Sequence, residues 1–237
     1  MDFAGVARRI LEENMGLKSS ETFLVLYDQT TLRIGESLFE AAGMIGAKAL
    51  AMRMPLLSKN GEEPTAPAAA AMAHSDVVIA ATGTSLTHTQ AKKKACAAGA
   101  RIATMPKITE DMFFNGPITA DYAKVADITG KVTALLSGAK TAELHSGGCV
   151  IRMSLEGRPG ISSTGIYRNR GESGNLPSGE SYIAPVEGTA EGEVLVDGSF
   201  AGLGVLSAPL HLVFKKGLLV KAEGPDAGRL EKMLGDN

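Results

Sequence analysis

The chain has 237 residues, 44% of them hydrophobic, with 24 Lys and Arg against 26 Asp and Glu for a formal charge of −2. That composition belongs to a globular protein that buries a sizeable core without disulfides or a structural metal. It excludes a bulk nucleic-acid binder, whose hold on phosphate rests on clustered Lys and Arg.

In chain order, "MDFAGVARRILEEN" is amphipathic at helical spacing, and its charges leave no apolar core for a signal peptide. "TFLVLYD" (22–28) is a continuous apolar run of strand length, "TLRIGESLFEAAGMIG" is helical, and "AKALAMRM" (47–54) reads as a strand. "TAPAAAAMAHS" follows as a helix with Pro near its start, then "DVVIAATG" (76–83) as a buried strand. "HTQAKKKACAAG" is a helix closed by Gly99, "RIATMP" (101–106) a short strand, and "ITADYAKVADITGKVTALLSGA" a longer helix. Strands that are apolar throughout, alternating with helices, predict a parallel sheet covered on both faces, a Rossmann-like α/β domain over 1–140.

Near residue 140 the pattern changes. "SYIAPVEG", "EGEVLVDGSF", "APLHLVFKKG" and "LLVKAEG" are strand-length segments separated by glycine-containing turns, and "DAGRLEKMLG" is a closing helix. The expectation for 141–237 is a β-rich second domain. No apolar run reaches the ~18–20 residues that span a bilayer. The protein is expected to be cytoplasmic, without a membrane or nucleic-acid partner.

Few residues carry chemistry locally. "ATGTSLTHT" (81–89) joins a buried strand to a helix, where open α/β sheets bind ligands, but it is neither Gly-x-Gly-x-x-Gly nor a Walker loop. Turn formation and helix capping account for it as readily as a cleft. His74, His88, His145 and His211 form no close pair, and alternation in "PLHLVF" sets His211 opposite to Leu210 and Leu212. Cys96 and Cys149 stand apart without a Cys-x-x-Cys pair, so neither a disulfide framework nor a zinc knuckle is written here. No Gly-x-Ser-x-Gly elbow is present, and Cys96 reads as a small apolar group within a helix. Lys92, Lys93 and Lys94 read as a solvated helix face. Glu180, Glu187, Glu191, Glu193 and Asp197 crowd into turns and strands as candidate metal-binding carboxylates, or as ordinary hairpin surface.

One stretch adds more. "NLPSGESYIAPVEGTAEGEVLVDGSF" resembles the signature of the aminopeptidase T/aminopeptidase S family of metallo-aminopeptidases, through Asn175, Leu176, Pro177, Gly179, Glu180, Ala184, Pro185, Glu187, Gly192, Asp197 and Gly198. "TSLTHTQAKKKACAAGARIATMP" resembles that family's first domain. The resemblance implies a homodimeric hydrolase that removes N-terminal residues from small peptides with divalent Zn, Co or Mn, and it assigns Glu180 as a metal ligand. It places the remaining donors in a later segment that would begin near "EKMLGDN", so the site is expected to be incomplete in these 237 residues. Glu187 and His211 are the nearest local substitutes. A related branch resembles 2,5-dihydroxypyridine 5,6-dioxygenases, implying Fe and a small-molecule substrate instead. A binding protein that keeps the fold without the ligands is the third expectation.

Overall fold

The computed structural model describes residues 2–235. Helix α1 (Phe3–Arg9) is capped by Asp2, whose carboxylate accepts the Gly5 N–H at 2.8 Å, and it runs into a π-helical turn over Ile10–Asn14. Then come β1 (Thr22–Tyr27), α2 (Leu32–Ile45), β2 (Lys48–Arg53), α3 (Ala66–Ala73), β3 (Val77–Ala81), α4 (Gln90–Ala98) and β4 (Arg101–Thr104). Two short helical pieces, α5 (Glu110–Phe114) and a 3-10 turn (Gly116–Thr119), precede α6 (Tyr122–Gly138). The long helix starts later than its apolar pattern predicts because the Asp121 carboxylate caps it, accepting the N–H groups of Ala123 and Lys124.

The strands β5 (Thr141–Ser146), β6 (Cys149–Ser154), β7 (Ile161–Ser163), β8 (Ser173–Asn175), β9 (Glu180–Tyr182) and β10 (Glu191–Val196) follow. After them come β11 (Ser199–Phe200), β12 (Gly204–Val205), β13 (Leu210–Lys215), β14 (Leu218–Glu223) and helix α7 (Ala227–Leu234). The chain divides into two compact units, residues 1–130 with 162–180, and 131–161 with 181–237. It therefore passes between them at 130/131, 161/162 and 180/181, where the sequence shows a single change of character near residue 140.

In the first unit the described strands form a parallel five-stranded sheet in the order β2-β1-β3-β4-β8. Its apolar strands face two cores. Phe23, Val25, Val77, Ile79 and Ala103 pack with α1 and α2 residues on one side. Leu24, Leu26, Val78, Ala80 and Ile102 pack with α3 and α4 residues on the other. Each fully buried large side chain stabilises the fold by about 1.5–3 kcal/mol. Strand β2 departs from the expected covered pattern, with Leu50 53% exposed, because it is the sheet edge. Gly35 lets α2 lie close on β1: a Cβ there would stand 2.3 Å from the Tyr27 ring.

The excursion 162–180 is tied in by polar contacts. Asn14, turned by the π-helical segment, donates from Nδ2 to the Gly165 carbonyl at 2.7 Å, and its own carbonyl accepts the Tyr167 N–H at 2.8 Å. Strand β8 then pairs with β4, Ile102–Thr104 opposite Ser173–Asn175. Gly174 is required there, since a Cβ would meet the Tyr167 hydroxyl oxygen at 2.2 Å.

The second unit is an antiparallel sheet in the order β14-β13-β10-β6-β5. One face is apolar: Leu210 and Leu212 join Val194, Val196, Phe214 and Leu230 of α7 in one core. Strand alternation then puts Glu193, His211 and Glu223 on the opposite face.

Candidate functional site

In a parallel sheet with the order 2-1-3-4, the strand order reverses between β1 and β3, and ligands of such sheets bind at the carboxyl ends of the strands near that point. Here the reversal is occupied by the protein itself. Asp28, 1% exposed, follows β1. Its Oδ1 accepts the Thr30 N–H at 2.9 Å and the Thr30 hydroxyl at 2.6 Å, and its Oδ2 accepts the Gly83 N–H at 2.6 Å. A phosphate here would meet a carboxylate that already holds these donors, in keeping with the absence of a nucleotide-binding motif.

One strand further on, the same sheet end carries a chain of neutral polar groups. Ser85 Oγ lies 2.9 Å from Thr87 Oγ1, which donates to Asn175 Oδ1 at 2.9 Å. Thr104 Oγ1 donates to the same Oδ1 at 2.6 Å. With both hydroxyls on its carbonyl oxygen, the Asn175 amide is held in one orientation and its Nδ2 makes no hydrogen bond to a described residue. The buried hydroxyl of Thr84, in the same loop as Ser85 and Thr87, also has no partner among the described residues. Such a group costs about 1–3 kcal/mol until something bonds it. The 81–89 loop thus forms turns, as expected, and Thr89 caps α4 by accepting the Lys92 N–H at 3.3 Å. It also supplies Ser85 and Thr87 to the polar chain.

The Asn175–Glu180 motif is mostly architectural. Asn175 ends β8, Leu176 is 1% exposed in the core, and the Leu176–Pro177 bond is cis. Ser178 Oγ lies 2.7 Å from Ser163 Oγ. Tyr167 donates to the Asn175 carbonyl at 2.8 Å, and burial raises the pKa of its phenol. Glu180 begins β9 and is exposed. Among the described residues, the one group of three His, Cys, Asp or Glu with donor atoms within 4.8 Å of one another does not include it.

The other candidates scatter. Glu187 pairs with Arg158, Glu191 accepts the Lys216 N–H at 2.7 Å, and Asp197 is exposed. Cys96 packs partly buried against the second core cluster. Lys93 and Lys94 are exposed as expected, whereas Lys92 is half-buried and burial lowers its ammonium pKa. His74, His88 and His145 are exposed. His211 is the exception, held between Glu223 (Nδ1 to Oε2, 3.2 Å) and Glu193 (Nε2 to Oε2, 2.9 Å). Those two hydrogen bonds, to Glu223 first and Glu193 second, raise its pKa. Asp28, Thr104 and Glu223 were not marked by any local sequence pattern, because their roles depend on which strands become neighbours.

No helix among the described residues is long and apolar enough to cross a membrane. No curated protein matches the sequence at a significant level. Among solved structures, 2,5-dihydroxypyridine dioxygenase from Pseudomonas putida KT2440 is similar with a TM-score of 0.81 at 18% identity, over 98% of this chain and 71% of that one. Wild-type AmpT from Thermus thermophilus is similar with a TM-score of 0.69 at 16% identity, over 98% of this chain and 73% of that one. At these identities the likeness establishes the fold, which both share. The family model described as NicX, 2,5-dihydroxypyridine 5,6-dioxygenase, matches residues 3–234. The chain belongs to that family.

Proposed function

We propose that this chain binds a small hydroxylated nitrogen heteroaromatic of the 2,5-dihydroxypyridine class, as the substrate of an oxygen-dependent ring cleavage. The family match across residues 3–234 carries this reading. The polar chain at the ends of β3, β4 and β8 supports it. Asn175 Nδ2 offers donors to a ring oxygen, and a ring hydroxyl is the kind of partner the Thr84 hydroxyl lacks. The bonded groups Ser85, Thr87, Thr104 and Asn175 include no Lys or Arg, which suits a neutral ring better than a phosphorylated one. The work of these residues is to bind and orient the ring. An oxygen electrode with 2,5-dihydroxypyridine and Fe²⁺ tests the reading, with calorimetric titration of the ring alongside. Oxygen uptake proportional to protein supports it; no uptake together with no ring binding overturns it.

A second reading is metal-dependent removal of N-terminal residues from small peptides, favoured by the Asn-Leu-Pro-Ser-Gly-Glu match at 175–180. It predicts release of leucine from a chromogenic anilide stimulated by Co²⁺, Zn²⁺ or Mn²⁺. It fails if metal-supplemented protein leaves that substrate intact while consuming oxygen with the pyridine.

A further inference from the structure

We propose that the polar face of the second unit's sheet binds a divalent metal of the zinc class through Cys149 Sγ, the Glu193 carboxylate and His211 Nε2. These residues are set by strand order. Strands β6, β10 and β13 are consecutive neighbours, about 4.8 Å apart as sheet strands are, which brings side chains of the three strands within reach of one another. His211 faces Leu195 directly across the β10–β13 pair, which makes Glu193 its diagonal neighbour on the same face. Cys149 opens β6 after the Gly147-Gly148 turn, and that turn lies against Leu195. One donor atom from each of the three residues lies within 4.8 Å of the others, with the Glu193 contact made through His211 Nε2.

Zinc bonds of about 2.0–2.3 Å in tetrahedral geometry put donor atoms roughly 3.3–3.7 Å apart, so closure needs side-chain adjustment and no strand movement. Glu193 Oε2 and His211 Nε2, at 2.9 Å, already aim at each other, and an ion would take the place of the proton between them. Glu223 on β14 supplies an outer partner: its Oε2 is 3.2 Å from His211 Nδ1, which fixes the tautomer that presents Nε2 to a metal. Lys221 in turn holds Glu223 at 2.9 Å. Three protein donors and an open fourth position match a zinc site, and a thiolate with an imidazole selects zinc over Mg²⁺ or Ca²⁺. Binding releases the Nε2 proton of His211 and the Sγ proton of Cys149, and the ion, thiolate and carboxylate then sum to no net charge.

The test is titration of the reduced full chain with Co²⁺ and Zn²⁺. The expected result is one cobalt per chain with a sulfur-to-cobalt charge-transfer band, displaced by zinc. C149S should abolish the band. H211A and E193Q should weaken zinc by at least the about 10–100-fold that outer-shell losses cause, and E223Q by an amount within that range. All four positions are exposed or half-exposed, and circular dichroism checks that each variant folds. E180Q should leave the band intact, which separates this site from any ion held at Glu180. Zinc affinity unchanged in both C149S and H211A, or no zinc uptake by folded wild-type chain, overturns the proposal.

Discussion

Replacing Glu21 with Gln should destabilise the first unit, and the loss should depend on pH in a defined direction. Arg101 opens β4 with its side chain 6% exposed, and it grips Glu21 in two bonds, Nη1 to Oε1 at 2.9 Å and Nη2 to Oε2 at 2.8 Å. It also donates to the carbonyls of Met15 and Gly16, so one guanidinium ties the end of the π-helical turn to the entry of β1. Removing one partner of a buried pair strands the other charge and costs about 3–5 kcal/mol. Gln keeps an acceptor and Glu21 is 17% exposed, so the loss for E21Q lies nearer about 2–3 kcal/mol. In a protein of this size that lowers the melting temperature by roughly 4–12 °C. The Arg101 hydrogen bond, followed by the Lys18 N–H and nearby positive charge, lowers the Glu21 pKa from 4.5 despite burial. A lowered folded-state pKa means the contribution is full above about pH 4.5 and disappears as pH falls through the folded value. The gap between wild type and E21Q, followed by thermal melts at several pH values, should be constant near neutrality and shrink in acid. A gap under about 1 °C at neutral pH, or one that persists undiminished in acid, would refute the reasoning.

Other substitutions probe the remaining contacts. N14A removes the buried bond to Gly165 and leaves that carbonyl unpaired, a loss of about 1–3 kcal/mol that hydrogen exchange should show as earlier opening of 162–180. G192A puts a Cβ 2.3 Å from the Val150 carbonyl oxygen at a φ of +119°, so the second unit should lose about 2–4 kcal/mol while exchange in the first unit is unaffected. T104V deletes one of the two hydroxyls that orient Asn175 with little change of shape. It should cost about 1 kcal/mol of stability and weaken ring binding by roughly fivefold or more by calorimetry.

The parallel sheet was legible because its central strands are buried on both faces: "TFLVLY" and "VVIAA" are apolar throughout, and Gly99 ends α4 at a φ of +104° as its position suggested. Strand β8 was hidden. Ser173-Gly174-Asn175 carries no apolar signal, and it pairs through backbone bonds under Tyr167 about seventy residues from its partner β4. The same non-local pairing concealed the site. The Asn175 motif was visible, but its link to Thr87 and Thr104 depends on β8 joining β4. Alternation correctly set His211 away from Leu210 and Leu212. Cys149 and Glu193 become its neighbours only because β6, β10 and β13 lie side by side, an order that no local window contains.

The most direct test of the functional account is a titration of the chain with 2,5-dihydroxypyridine, followed residue by residue through amide resonances. The account predicts saturable shifts concentrated at 83–89, Thr104 and Asn175, and their loss in N175A, whose fold should persist because the backbone pairing of β8 with β4 and the Tyr167 bond to the Asn175 carbonyl remain. Saturable binding that leaves these residues unmoved and survives N175A would contradict it.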